Sequence, residues 1–140
     1  MHVDLFLEDC PSDVRALIDD LAREPATRSI WLIGSRANSS AMAGSDWDVL
    51  VFSSAEPLVA PRRHRDVDVI RVGPSGRVLV EGVCEDMAFH FQDFQWTVLD
   101  GEHASYIGKK YRDTDEGYAR DNNEPVYERL TQVALLVHTR

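Results

Sequence analysis

Three short apolar runs, each bounded by polar or turn-forming residues, set the strongest limit on how this chain folds. Ile30-Trp31-Leu32-Ile33 stops at Gly34. Ser45-Asp46-Trp47-Asp48-Val49-Leu50-Val51-Phe52 opens on two acids. Asp66-Val67-Asp68-Val69-Ile70-Arg71-Val72 runs into the turn Gly73-Pro74-Ser75-Gly76. Runs this short and this rich in β-branched residues predict buried strands. Before them, Ser12 as N-cap after Pro11 and an apolar stripe of Val14, Leu17, Ile18, Leu21 and Ala22 predict a helix that Pro25 ends. After them, 77–83 and 87–91 read as an antiparallel pair. Phe94-Gln95-Trp96 and Tyr106-Ile107 suit strand or helix, and 114–123 is polar. Val126, Leu130, Val133 and Val137 predict a closing helix from about Glu124, with Pro125 in its first turn.

At 140 residues the chain has the size of one domain, 1–140, with the three runs at its centre, about 30–72. Hydrophobic residues at 44% and charged residues at 28% exclude disordered, collagenous and low-complexity classes. A net charge of −9 sets nucleic acid behind other partners, because phosphate backbones need clustered cations. No apolar run approaches the roughly 20 residues that cross a membrane, and the N-terminus lacks a leader pattern, so the expectation is a cytoplasmic protein without membrane contact. Cys10 and Cys84 are expected as reduced thiols. The histidines, His64, His90 and His103 among them, show no metal spacing. The cations at 62–65 and Lys109, Lys110 and Arg112 read as solvated. Met87, Phe89, Phe91, Phe94 and Trp96 read as core or an interface.

The chemistry gathers where the runs end. Side chains two apart on a strand share a face, so Asp46 and Asp48 project side by side. Carboxylates that close repel unless a cation sits between them, and oxygen-only ligands favour Mg²⁺ or Mn²⁺. Gly34 permits a tight turn, Ser35 offers a hydroxyl and an N–H, and Arg36 adds a cation, which together suit a phosphate. A third acid would complete a two-metal arrangement. Asp66 and Asp68 share a face; Asp68 is chosen because valines on both sides hold its backbone. The set describes a nucleoside triphosphate held for phosphoryl or nucleotidyl transfer.

Gly34-Ser35, ten further residues, then Asp46-Trp47-Asp48-Val49, followed by Val67-Asp68-Val69, resembles the signature of the nucleotidyltransferase superfamily that includes DNA polymerase β, and most closely its minimal prokaryotic members. The resemblance covers about a third of the chain. It departs from the pattern in the large Trp47 between the acids and in the 20-residue step from Asp48 to Asp68. The resemblance implies an α+β fold, a small mixed sheet with helices packed mainly on one face. It implies Gly34, Ser35 and Arg36 on the triphosphate, and Asp46, Asp48 and Asp68 as catalytic metal ligands, Asp68 also helping to deprotonate the acceptor. It implies transfer of a nucleoside monophosphate, AMP from ATP by family habit, to a hydroxyl of a small molecule or of a partner protein such as a toxin. The alternative is a catalytically silent nucleotide-binding or partner-binding module.

Overall fold

The computed structural model describes residues 10–37, 46–56, 66–81, 90–111, 113–114, 117–118, 120–121, 124–125 and 127–140. Helix α1 (Ser12–Arg23) follows Pro11 and ends where Glu24 turns extended ahead of Pro25. Then come β1 (Thr27–Ile33), a 3-10 turn Gly34–Arg36, β2 (Trp47–Ser53), β3 (Val67–Val72), β4 (Val78–Val80), a second 3-10 turn Phe91–Phe94, β5 (Thr97–Val98) and β6 (His103–Tyr111). Four two-residue strands, β7 (Asp113–Thr114), β8 (Gly117–Tyr118), β9 (Arg120–Asp121) and β10 (Glu124–Pro125), form two small ladders before β11 (Tyr127–Thr139).

Seven strands make one mixed sheet in the order β4-β3-β2-β1-β11-β6-β5. Only β2 and β3 run parallel; the other neighbours are antiparallel. A parallel pair needs a crossover, and its central part, 57–65, with the basic run 62–65, lies outside the described residues. One face of the sheet carries Ile30, Leu32, Trp47, Val49, Val51, Val67, Val69, Leu135 and Val137, covered by Val14, Ile18 and Leu21 of α1. Each of those three helix side chains contributes about 1.5–3 kcal/mol by leaving water. The Arg140 guanidinium donates to the carbonyls of Ala22, Glu24 and Pro25 and so satisfies the end of α1. On the other face Trp31, Ile33, Leu50, Val72, Ala104, Tyr106 and Ala134 are buried beneath Phe52, Phe91, Phe94 and Trp96. Among the described residues no helix is long and apolar enough to cross a membrane.

This architecture corrects the expected fold class. In place of a small sheet with helices layered on it, the described residues form a seven-stranded sheet with a single α-helix. The closing helix expected from about Glu124 is β11, a 13-residue strand at the middle of the sheet, between β1 and β6. The apolar run Val133-Ala134-Leu135-Leu136-Val137 explains the error. A strand covered on both faces is continuously apolar, and such a run contains a helical stripe as a subset. β4 hairpins back on β3 through the 73–76 turn, and an antiparallel bridge of Arg77 with His90 joins the two segments expected to pair, between which 82–89 lies outside the described residues. Met87 and Phe89 lie outside the described residues, as do Cys84 and Arg112, and the side chains of Lys109 and Lys110 are likewise outside. Phe91, Phe94 and Trp96 pack as core, their rings meeting Phe52, Trp31 and Tyr106.

Candidate functional site

The end of β1 and the starts of β2 and β3 meet at one edge of the apolar layer that α1 leaves uncovered. Ile33 pairs with Asp48, and Asp48 pairs in turn with Asp68. Parallel register therefore sets Asp48 and Asp68 side by side on the face that carries Leu50 and Phe52, while Trp47 between the acids is buried on the α1 side. The two carboxyls share a hydrogen bond. Burial, then the charge and hydrogen bond of Asp68, then the charge of Asp46, push Asp48 up to about 7. At neutral pH the Asp48 carboxyl is accordingly about half protonated. Asp46 is exposed just before β2. Asp66 is exposed too, in a left-handed turn (φ 62°) ahead of β3, where its carbonyl accepts from Trp47 N–H.

Gly34 closes the site from above. Its φ of +73° is left-handed, and a Cβ there would overlap Asp48 Oδ2. Only a residue without a side chain lets the carboxylate stand so close to the turn. Ser35 lies in the same 3-10 turn, its side chain outside the described set. The Arg36 guanidinium packs over the Trp47 ring, 4.7 Å from its centroid. The structure thus brings Gly34, Asp48 and Asp68 together, sets Asp46 at the mouth, and carries Arg36 onto the Trp47 ring.

Two residues of the site escape a sequence reading. The Tyr106 hydroxyl accepts from Gly34 N–H at 2.8 Å and donates to Gln132 Oε1 at 2.8 Å. Burial, with the Asp48 charge adding and the Gly34 bond opposing, raises the Tyr106 pKa above its ordinary value and keeps the hydroxyl protonated. Tyr106 and Gln132 are register partners on β6 and β11. The one available signal was Gln132, an amide set against the apolar run that follows it. His90 has a structural part: its Nδ1 accepts from Gln92 N–H, and its Nε2 lies 2.8 Å from the Ser75 carbonyl oxygen.

Among the described residues no three histidine, cysteine, aspartate or glutamate side chains converge as a ready metal cage. Asp48 and Asp68 offer a two-carboxylate oxygen set whose charges repel, the kind of donor set Mg²⁺ takes when substrate phosphates supply the rest of its shell. No family model, curated protein or solved structure matches the chain.

Proposed function

We propose that the protein transfers a nucleoside monophosphate, AMP from ATP, to an acceptor hydroxyl with the help of Mg²⁺ or Mn²⁺. The observation that carries this reading is the register of Asp48 with Asp68 beneath the Gly34 turn. It places two carboxylates next to a turn that suits phosphate. Asp48 and Asp68 would hold the cation, and Asp46 would add negative charge at the mouth. The bound ion would offset charge on the phosphate oxygens and make the acceptor hydroxyl more acidic.

The chain's own part is positioning and proton handling. Gly34 keeps the turn close to the carboxylates, and Ser35 and Arg36, which follow it in the same 3-10 turn, would offer their backbone N–H groups to the phosphates. The acceptor oxygen forms its bond to the α-phosphorus as the bond to the bridging oxygen breaks and pyrophosphate leaves. The acceptor proton would pass to Asp68, the carboxylate paired in register with Asp48. The hydroxyl belongs to a partner protein, such as a toxin, or to a small molecule; the acidity of the chain ranks nucleic acid behind both.

Calorimetric titration with ATP, with and without Mg²⁺, tests the reading. Metal-dependent binding that disappears in Asp46→Asn/Asp48→Asn is expected. No binding to the wild-type protein, or equal binding to the double variant, overturns it. Label from α-³²P-ATP appearing on a component of a cell lysate marks the enzyme; binding without label or pyrophosphate release marks the silent module.

A further inference from the structure

We infer that Tyr106, oriented by Gln132, is a positioning residue that locks the Gly34 turn against Asp48 and so sets triphosphate affinity, a role that rests on the reading proposed above. Three observations converge on it. The Gly34 N–H would face a phosphate in a simple glycine cradle, but here it donates to the Tyr106 hydroxyl. That hydroxyl is aimed by a second bond to Gln132 Oε1, so its lone pair is turned toward Gly34 and its proton away. Close packing of Gly34 on Asp48 leaves the turn little room to shift without moving the carboxylate.

The route is built for reach. Gly34 follows β1, and Tyr106 stands on β6, with β11 in between. The Tyr106 ring lies in one apolar cluster with Ala134 of β11 and Ala104 of β6, two fully buried alanines that leave space for a ring to cross. Trp96 stacks on the ring at 6.2 Å, and Phe94 meets it edge-on at 6.4 Å. The ring is thus held by packing, and the hydroxyl is the part that acts on Gly34. Phosphate contacts then fall to the later residues of the turn, Ser35 and Arg36, whose place depends on where Gly34 is pinned.

Tyr106→Phe separates these parts, since it keeps the ring and removes the hydroxyl; Gln132→Leu removes only the group that aims it. Each variant is titrated with Mn²⁺ alone, which reports on Asp48 and Asp68, and with ATP plus Mg²⁺, with thermal unfolding followed in parallel. The expected result is a loss of ATP affinity of about ten-fold or more in Tyr106→Phe, a smaller loss in Gln132→Leu, and Mn²⁺ affinity within about three-fold of wild type in both. ATP affinity unchanged in Tyr106→Phe overturns the role and leaves the site reading standing. Equal loss of Mn²⁺ and ATP binding also overturns it, because that marks general loosening. A wild-type protein that binds neither Mn²⁺ nor ATP overturns the site reading and the Tyr106 role together.

Discussion

Gly34 packs so closely on Asp48 that no side chain fits at position 34. The contact joins the end of β1 to the start of β2 and fixes the turn over the carboxylate pair. Gly34→Ala meets both a left-handed backbone and an occupied space. It is expected to cost about 2–3 kcal/mol of stability in urea unfolding and to weaken Mg²⁺-dependent ATP binding. A stability equal to wild type would show that the turn relaxes freely.

Asp48 governs how stability depends on pH. Its folded pKa, about 7, stands above the ordinary 3.8, so between about pH 4 and 7 the folded state holds a proton that the unfolded chain has released. That stabilising contribution is full below about pH 4 and is lost as pH rises through 7. Asp48→Asn, neutral throughout, is expected to flatten this part of the profile and to raise Tm at pH 8 by roughly 2–6 °C, while abolishing metal binding. Identical pH profiles for the two proteins would contradict the shift.

Arg71 binds Glu81 at 2.6 Å and Glu24 at 3.0 Å, tying β3 to the end of β4 and to the residue after α1. The side chains of Arg71 and Glu81 are only 17% and 7% exposed, so removing the cation takes its ion-pair partner from a buried acid. Arg71→Met is expected to cost about 3 kcal/mol, and Arg71→Met/Glu81→Leu to recover most of it. Denaturant unfolding of the single and double variants measures the difference.

Ala134 faces Ala104 across β11 and β6, both fully buried where the Tyr106 ring is packed. Ala134→Leu is expected to cost about 1–3 kcal/mol through overpacking. Displacing the ring should also break the Tyr106 bond to Gly34, read as faster hydrogen exchange of the Gly34 amide.

The central strands and the site's carboxylates were legible because their signals are local. β1, β2 and β3 appear as short β-branched runs, and period-two alternation alone sets Asp48 on the face opposite Trp47, whereas Asp46 falls just before the strand. Gly34 is readable as a turn residue at the end of such a run. β11 was illegible for an equally physical reason: its stretch 134–137 is covered on both faces, and such a stretch and a buried helix share the same apolar composition, so that only its neighbours decide between them.

The sequence by itself determined that β1, β2 and β3 are strands, which of their side chains share a face and where the first of them must turn, since these follow from backbone sterics within a few residues. Tertiary structure alone decided which strands lie side by side. Parallel pairing of β2 with β3 puts Asp68 next to Asp48, and the insertion of β11 between β1 and β6 brings Tyr106 onto Gly34, 72 positions away. Such contacts depend on burying whole strands together, a free energy that no local window of sequence contains.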